Sequence, residues 1–309
     1  MRALVRDQAH DPPVAVREVE APEPGAGEAL VEVHASSLNR GELSLLANRP
    51  DGWRPGQDLA GVIARSAADG VGPREGERVV GLVEGGAWAE LVAVSVERLA
   101  ILPTGVPFEH AATLPIAGLT ALRTLRLGGS LLGRRVLITG ASGGVGQFAV
   151  QLARAAGGRV SALVSDASAH PDLLGLGAER VIDRHDDTDE PFEFILEGLG
   201  GPSLSASVGV VAPGGTIVLY GAVSPEPASL GLLDFFGHEG ATIHAFFSYA
   251  AARQQDTGLD LSVLADLVDR GQLRPAIATT ADFDHAADAI TALSNRRLHG
   301  KVVFTPTAE

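Results

Sequence analysis

The sequence predicts an α/β protein in which a mainly antiparallel β domain precedes a doubly wound parallel sheet. A chain of 309 residues usually divides into two domains. From residue 135 onward, continuous apolar runs alternate with helical or glycine-rich segments, which is the pattern of a parallel sheet covered on both faces. Short β-rich stretches between Gly/Pro turns open the chain, and their spacing is typical of an antiparallel barrel. These stretches are residues 14–19, 29–35, 59–64, 78–83 and 89–94.

Composition and charge restrict the class of protein. The chain is 45% hydrophobic, 20% charged and 5% aromatic, as in ordinary globular proteins. Lys and Arg number 24 against 38 Asp and Glu, and the net charge of −14 disfavours nucleic acid and anionic membranes as partners. No cysteine is present, which excludes disulfides, a thiolate nucleophile and thiolate-ligated zinc. The first six residues form no apolar signal region and no 18 apolar residues run together, so we expect a cytoplasmic protein.

Six apolar runs predict the strands of the parallel sheet, at residues 135–139, 160–164, 180–182, 194–196, 216–219 and 242–247. After the first run, apolar residues recur at spacings of three and four from Val145 to Ala156, which predicts an amphipathic helix. A helical stripe at 261–268 and an apolar strand at 301–304 end the chain, and we expect this tail to return to the first domain. The acidic stretch 183–190 is interpreted as a solvated loop.

A glycine-rich turn joins the first of these strands to the helix. Its backbone N–H groups and the positive end of the helix dipole would face an anion. Gly143 and Gly146 fill the second and third positions of the dinucleotide fingerprint, and Ala141 replaces the first. Because a strand precedes the turn, a helix follows it and a second strand comes at the expected distance, it predicts a Rossmann domain. The predicted pyrophosphate site consists of Ser142, Gly143, Gly144, Val145 and Gly146.

The same turn also matches a hydrolase pattern. Gly140, Ser142 and Gly144 satisfy G-x-S-x-G, the signature of a nucleophile elbow. That fold needs an oxyanion loop upstream, and no HGGG-type stretch precedes the turn. A long β domain before the first parallel strand is also unexpected in a hydrolase, so the dinucleotide site is the favoured interpretation.

The end of the second parallel strand bears on the choice of cofactor. In NAD enzymes an acidic residue about 20 positions past the glycines binds the ribose hydroxyls. Ser165 stands there, 19 residues after Gly146, and would not repel a 2′-phosphate. Arg184, just after the third strand, could supply positive charge to that phosphate. NADPH is therefore the expected cofactor, and NADH stays open because Asp166 is adjacent to Ser165.

At this point the chain resembles the medium-chain dehydrogenase/reductase superfamily and, within it, the zinc-free quinone oxidoreductase branch. The resemblance covers nearly all 309 residues. Its motifs here, besides the glycine turn, are SLNRGE (37–42), GQDLAGV (56–62), GERVVG (76–81), GAWAE (86–90), AATLP (111–115), GLTA (118–121), LGA (176–178), PGG (213–215) and HGKV (299–302).

The resemblance implies a GroES-like, mainly antiparallel β-barrel catalytic domain built from residues 1–116 and 248–309. Residues 117–247 would form the Rossmann domain, and a homodimer through the Rossmann sheets is the implied assembly. It also implies positions for residues near the cofactor. These are Asn39 and Thr120, the predicted catalytic residues, near the nicotinamide or its ribose, Gly221 and Ala222 over the cofactor, Phe246 and Phe247 at the nicotinamide end, and Lys301 near the cleft.

The chain departs from the zinc-dependent members of the superfamily. A catalytic cysteine would stand at Asn39 and a Gly-His-Glu motif at residues 56–58, where this chain has Gly-Gln-Asp, so we predict no metal site. Gly-His-Glu does occur at 237–239, where no second ligand is in sight, and it is interpreted as a coincidence. Some relatives carry a tyrosine at the place of Ser44, so an obvious proton donor is lacking. Glu42 is interpreted as a surface or hydrogen-bonding carboxylate in preference to a proton donor.

The resulting hypothesis is an NADPH-dependent reductase that transfers a hydride to a quinone or an α,β-unsaturated carbonyl. Two alternatives stay open. One is an enoyl or enone reductase that tailors a biosynthetic intermediate such as a polyketide. The other is a non-catalytic dinucleotide-binding sensor.

Overall fold

A computed structural model of the chain describes residues 1–188 and 190–306. It divides into two compact units, the first made of residues 1–119 and the chain from 252 onward, the second of residues 120–251. The boundaries expected from the resemblance, after 116 and after 247, lie three and four residues before the observed ones at 119 and 251.

Fifteen strands occur in the described residues. They are β1 (Arg2–Arg6), β2 (Val14–Glu18), β3 (Glu28–Leu38), β4 (Asp58–Arg65), β5 (Arg78–Leu82), β6 (Leu91–Ser95), β7 (Leu99–Ile101), β8 (Arg135–Thr139), β9 (Arg159–Leu163), β10 (Arg180–Ile182), β11 (Phe192–Glu197), β12 (Val211–Leu219), β13 (Thr242–Ala245), β14 (Ile277–Asp282) and β15 (Lys301–Thr305).

Nine α-helices occur in the same residues, besides short 3₁₀ and π turns. They are α1 (Arg40–Asn48), α2 (Phe108–Ala112), α3 (Leu119–Leu127), α4 (Gly144–Ala155), α5 (Asp172–Gly175), α6 (Gly201–Val208), α7 (Ser248–Gln254), α8 (Thr257–Asp269) and α9 (Ala286–Ser294). In the described part of the chain, none of them combines the length and the apolar character that crossing a membrane requires.

The first unit is built around a largely antiparallel sheet of seven strands in the order β14-β15-β3-β4-β5-β7, with β6 also paired to β3. Strand β3 lies between β15 and β4 and is antiparallel to both. The last residues of β3 therefore lie beside the first residues of its two neighbours, with Ser37 opposite Asp58 and Leu38 opposite Val302. The polar residues that begin or follow these strands are thereby collected at one end of the sheet.

Aromatic packing holds this end of the sheet in place. Trp88 and Phe304 are fully buried and meet edge to face, with ring centroids 5.0 Å apart. The Trp88 indole N–H donates to the Ser37 carbonyl at 3.1 Å. Helices α1 and α9 cover the same cluster through Leu46 and Ile290. The backbone of β3 just before Asn39 is thus fixed by buried contacts.

The second unit is a parallel sheet of six strands in the order β10-β9-β8-β11-β12-β13. Numbered within the unit this is 3-2-1-4-5-6, the order of a Rossmann fold, whose reversal point lies between β8 and β11. The central strands are buried because helices cover both faces, as the continuous apolar runs predict. The predicted parallel and antiparallel sheets are both confirmed.

Some elements differ from the sequence-based expectations. Strand β13 ends at Ala245, two residues before the predicted end. The strand expected at 89–94 begins at Leu91, and Ala89 makes an isolated bridge to Ala3 instead. In the acidic loop, residues 183–188 are mostly exposed, as predicted, and residue 189 lies outside the described residues.

Candidate active site

The glycine turn is an open anion cradle at the carboxyl end of β8. Gly140 adopts a φ of +62°, a left-handed conformation that favours glycine, and turns the chain out of the strand. The Gly143 N–H donates to the Gly140 carbonyl at 3.0 Å, and Gly143 then caps α4. The first turn of a helix leaves its N–H groups without intrahelical acceptors, here those of Gly144, Val145 and Gly146. These donors fit the pyrophosphate of a dinucleotide.

The two fingerprint glycines have different physical roles. A Cβ on Gly146 would lie 2.4 Å from the Gly140 carbonyl oxygen and 2.6 Å from the Ala141 Cα, so no side chain fits there without moving backbone. A Cβ on Gly143 would come no closer than 3.2 Å to that oxygen, and Gly143 is exposed. Gly146 therefore allows the helix to pack on the turn, whereas Gly143 keeps the outer side of the turn free for a ligand.

The hydrolase interpretation of this turn is wrong. A nucleophile elbow places its serine on a strained turn. Among the described residues, Arg296 is the only non-glycine residue with a positive φ, so Ser142 lacks that strain. The Ser142 carbonyl accepts the Gln147 side-chain amide at 2.9 Å, which ties it to the helix.

The glycine loops that follow β11 and β12 meet beside the turn. Thr139, the last residue of β8, accepts the Gly198 N–H through its hydroxyl at 2.9 Å. A Cβ on Gly221 would lie 2.4 Å from the Gly198 carbonyl oxygen, so the two loops are in backbone contact. The structure thus brings Gly221 and the adjacent Ala222 to the same edge of the sheet as the glycine turn. In open α/β sheets this carboxyl edge is where ligands bind.

The predicted aromatic pair lies just past β13. The Phe246 N–H donates to the Leu219 carbonyl at 2.8 Å, next to the end of β12. Phe247 is 57% exposed, and its ring centroid is 5.6 Å from that of Tyr249. Phe247 is therefore not packed in the core, and both side chains stay predicted contacts of the cofactor.

The predicted ribose site is exposed. Ser165 follows β9 and is exposed, while the Asp166 carboxylate accepts the Ser168 N–H at 3.0 Å. This hydrogen bonding lowers the pKa of Asp166, which is fully ionised at neutral pH. Arg184 is exposed and binds Asp186 through two hydrogen bonds, at 2.9 and 2.7 Å. A 2′-phosphate would compete with Asp186 for this guanidinium.

Glu197, the last residue of β11, is a buried carboxylate that sequence reasoning missed. Its Oε1 accepts the N–H groups of Leu199 and Gly200 at 2.8 and 3.0 Å. Its Oε2 accepts the hydroxyls of Ser203 and Ser207 at 3.0 and 2.8 Å. It thereby shapes the glycine loop beside the cradle. The signal that could have found it is a lone carboxylate at the end of a buried apolar strand.

In the first unit, three strand ends bring Asn39, Asp58 and Lys301 together. Asn39 donates its side-chain N–H to Asp58 Oδ2 at 2.8 Å, and Ser37 donates its hydroxyl to the same oxygen at 2.7 Å. The Lys301 ammonium donates to Asn39 Oδ1, to the Leu38 carbonyl at 3.2 Å and to Asp58 Oδ2 at 3.4 Å. Lys301, predicted to lie near the cleft, is the only lysine of the chain and is 3% exposed.

Glu42 completes this group, which we call the buried polar cluster (Ser37, Asn39, Glu42, Asp58 and Lys301). Glu42 is fully buried in the first turn of α1. Of the two expected alternatives, a surface carboxylate and a hydrogen-bonding carboxylate, the structure shows the second. Its Oε2 accepts the Asn39 backbone N–H at 2.7 Å, and its Oε1 has no hydrogen-bond partner among the described residues. Burial, reinforced by the Asp58 charge, raises the pKa of Glu42 to about 8.

Thr120, the other predicted catalytic residue, belongs to the second unit, at the start of α3. It is 5% exposed, and its carbonyl accepts the Thr124 hydroxyl at 2.6 Å. Its role at the nicotinamide stays a prediction.

The residues at the zinc position of related enzymes do not fit a zinc ion. Asn39 and Gln57 carry neutral amides where thiolate and imidazole ligands would be needed, and Asp58 is already held by three side chains and by the Ile116 N–H at 3.0 Å. Within residues 1–188 and 190–306, no three His, Asp or Glu side chains are grouped to hold a metal. His238 instead contacts the Val211 carbonyl through Nδ1 at 2.5 Å.

A Rossmann sheet with an anion cradle, combined with an antiparallel unit that carries a buried polar cluster, defines a two-unit dinucleotide-binding protein. A family model described as zinc-binding dehydrogenase matches residues 176–304. The human mitochondrial NAD(P)H oxidoreductase RTN4IP1 is 30% identical over 275 residues, which are 81% of this chain and 69% of that protein. The chain therefore belongs to the medium-chain dehydrogenase/reductase superfamily, in its zinc-free, quinone oxidoreductase-like branch. This places it in a family of NAD(P)H-dependent oxidoreductases.

Two further similarities concern fold and size. The quinone oxidoreductase from Coxiella burnetii superposes with a TM-score of 0.85 at 26% identity, over 99% of each chain. The pikromycin polyketide synthase component PikAII of Streptomyces venezuelae is 32% identical over 303 residues. That match covers 92% of this chain but only 8% of the synthase component, so the chain is similar to one segment of a much longer protein.

Proposed function

We propose that the chain is an NADPH-dependent, zinc-independent reductase that transfers a hydride to a quinone or an α,β-unsaturated carbonyl. The observation that carries this proposal is the cradle at the carboxyl edge of the Rossmann sheet, where Gly143 is open and the glycine loops of β11 and β12 converge. The similarity to a quinone oxidoreductase and to an NAD(P)H oxidoreductase supports the type of reaction.

The residues that would hold the dinucleotide all belong to the second unit. The N–H groups of the glycine turn would bind the pyrophosphate, Gly221 and Ala222 would border the cofactor, and Phe246 and Phe247 would lie at its nicotinamide end. When bound, the reduced nicotinamide supplies the hydride. In the first unit, Asn39 is held by hydrogen bonds to Lys301 and Asp58.

We expect NADPH to bind more tightly than NADH because Ser165 stands where NAD enzymes carry the carboxylate that binds the ribose 2′-hydroxyl. Arg184→Ala should weaken NADPH roughly tenfold, the effect of losing one charge-assisted hydrogen bond, and should leave NADH nearly unchanged. Dissociation constants for both nucleotides, measured by fluorescence titration, check this.

Arg180→Ala is the matched control for Arg184→Ala. Arg180 is also exposed in this region and pairs with Asp187 at 2.9 Å. If both variants lose the same NADPH affinity, the effect is one of overall charge and Arg184 makes no contact with the 2′-phosphate. An equal loss for NADPH and NADH would lead to the same conclusion.

The substrate class can be tested with one panel of acceptors. The similarity to a segment of a polyketide synthase component favours a second candidate, reduction of an enoyl intermediate in biosynthesis. NADPH oxidation would be followed with a simple quinone, a simple enone and an enoyl thioester. Turnover confined to the thioester would favour the second candidate. Binding of NADPH without oxidation by any acceptor would favour the non-catalytic sensor.

We also propose that two copies pair along β13. All four residues of this edge strand are exposed, and its outer edge is unpaired in the described residues. Large apolar side chains nearby in the sequence are exposed as well: Leu232 88%, Leu233 84% and Phe236 85%. An antiparallel contact between two such edges closes on itself with twofold symmetry and would cover these groups.

Ile243→Lys should therefore convert the dimer to a monomer, because a lysine on an edge strand opposes pairing with a second edge. Light scattering after gel filtration measures the mass. Leu132→Lys, which changes an exposed leucine of the same unit, should stay dimeric. A wild-type protein that is monomeric at micromolar concentration would contradict the proposed pairing.

A further inference from the structure

The loop that carries Arg184 stands where a Rossmann unit usually has a crossover helix. Parallel strands are ordinarily joined by a helix that packs on the sheet. Between β10 and β11, the described residues 183–188 and 190–191 form bends and a turn and no helix. The Arg184 carbonyl accepts the Asp187 N–H at 3.4 Å, so the turn itself is only weakly closed. The position of Arg184 therefore depends on side-chain contacts of this loop.

One partly buried hydrogen bond joins the loop to the rest of the unit. His185 Nε2 lies 3.2 Å from the hydroxyl oxygen of Ser203, in the first turn of α6. The other described side-chain hydrogen bonds of residues 183–188 stay within the loop or reach only β10. All of those are exposed, and exposed ion pairs contribute little. The contact between His185 and Ser203, which we call the anchor, is thus the main restraint on the loop.

The direction of the hydrogen bond in the anchor follows from the second partner of Ser203. The Ser203 hydroxyl donates its single proton to Glu197 Oε2 at 3.0 Å. It can therefore only accept from His185, whose proton must be on Nε2. Burial lowers the pKa of His185, so the neutral ring predominates at neutral pH.

Glu197 holds the acceptor of the anchor in place. It is fully buried at the end of β11, a central strand, and it binds two backbone N–H groups of the adjacent glycine loop besides the hydroxyls of Ser203 and Ser207. Ser203 is thereby fixed to the sheet. The anchor connects the mobile side of the loop to a rigid element within the same unit.

The anchored turn lies beside the predicted ribose site. Strands β9 and β10 pair in parallel, and the Val164 N–H donates to the Ile182 carbonyl at 3.0 Å. The chains that follow these two residues leave the sheet side by side, one leading to Ser165 and the other to Arg184. Because His185 is next to Arg184 in the chain, fixing its ring holds the Arg184 backbone at this edge of the sheet.

We propose that His185 positions Arg184 for the ribose 2′-phosphate of NADPH, through its hydrogen bond to Ser203 and the Glu197 carboxylate behind it. This inference rests on the proposed function. A loop without the anchor would place Arg184 correctly for only part of the time, and the affinity for NADPH would fall with that fraction. NADH has no 2′-phosphate, so its binding does not depend on the anchor. His185 is accordingly a positioning residue.

His185→Ala should weaken NADPH roughly fivefold, the effect of losing one neutral hydrogen bond, and should leave NADH unchanged. Fluorescence titration with both nucleotides measures this. His185→Gln, whose side-chain amide can donate to Ser203, should retain most of the NADPH affinity. Thr188→Val is the matched control. It removes another hydrogen bond of the same loop, from the Thr188 hydroxyl to the Glu190 carbonyl at 2.7 Å, and should bind NADPH as wild type does.

A double-mutant cycle shows whether His185 acts through Arg184. In the Arg184→Ala protein, adding His185→Ala should cause no further loss of NADPH affinity, because no guanidinium remains to be positioned. Additive losses would overturn the inference. So would equal losses of NADPH and NADH in His185→Ala, or an unchanged NADPH affinity in His185→Ala when Arg184→Ala binds NADPH weakly.

Failure of the proposed function gives a different result. Wild type then binds neither nucleotide, or Arg184→Ala changes no affinity, and the inference falls with it. The anchor itself is checked by NMR chemical shifts of the His185 ring nitrogens in the protein without nucleotide. They should show the proton on Nε2 and should change in Ser203→Ala. A ring with its proton on Nδ1 alone would contradict the link through Ser203 to Glu197 and overturn the inference.

Discussion

Gly143→Val is expected to weaken binding of the nicotinamide dinucleotide strongly while the fold stays intact. Gly143 is exposed at the N-cap of α4, and its outer side faces the space that a pyrophosphate would occupy. A valine there excludes the phosphates from the N–H groups of the turn. Two charge-assisted hydrogen bonds lost at about 1.5 kcal/mol each weaken binding by roughly 100-fold. Fluorescence titration with NADPH measures the change.

The fold should tolerate this change because the Gly143 backbone is extended, with φ −77° and ψ 170°, and a Cβ there lies 3.2 Å from the Gly140 carbonyl oxygen, a tight contact that requires this oxygen to shift by a few tenths of an ångström. The cost of a poorer N-cap is about 1 kcal/mol. Gly146→Val is the contrasting variant, since its side chain collides with backbone and should disrupt the domain. Gly175→Val, at an open position of α5, should change neither stability nor binding. If Gly143→Val binds NADPH as tightly as wild type does, the glycine turn does not bind the pyrophosphate.

Glu42→Gln is expected to stabilise the protein increasingly as the pH rises from about 4.5 to about 8. Over this range the unfolded wild type loses the Glu42 proton while the folded state keeps it, so the folded state binds more protons and rising pH favours unfolding. The free energy of unfolding of wild type should fall relative to the variant by about 1.4 kcal/mol per pH unit. Below pH 4.5 and above pH 8 the difference should be constant.

Urea denaturation of the two proteins across pH 4 to 9 measures this difference. The glutamine keeps an oxygen where Glu42 Oε2 accepts the Asn39 N–H, so the cap of α1 is retained. Glu32→Gln should follow wild type at every pH, because Glu32 is exposed. Parallel pH curves for wild type and Glu42→Gln would show that Glu42 is ionised in the folded state.

The Rossmann unit could be predicted from the sequence because its strands are buried on both faces. Such strands give continuous apolar runs, and the glycine turn marks the first strand-to-helix junction. All six predicted runs became strands, with ends shifted by a few residues. Strand β14 was missed because Ile277–Asp282 is only partly buried and rich in Thr and Ala, so it carries neither a continuous run nor a clear alternation.

The candidate site could be predicted only where local sequence determines it. The anion cradle is a local motif, and its residues followed from the glycines alone. The buried polar cluster joins residues 39, 58 and 301, whose proximity depends on the antiparallel register of β3 with β4 and β15. No pattern near Glu42 indicates burial, because a carboxylate in a sequence is ordinarily exposed, and for Glu197 the one signal is its place at the end of the apolar run of β11. The partners that make burial possible come from other strands and loops.

We infer that this chain binds a reduced nicotinamide dinucleotide at the glycine turn and delivers its hydride to a quinone or enone. The most direct measurement is a fluorescence titration of the purified protein with NADPH and with NADH, followed by addition of one quinone and one enone to the same mixtures. We predict saturable binding that is tighter for NADPH, and oxidation of the bound nucleotide by one acceptor. Binding of neither nucleotide would contradict the account of the site.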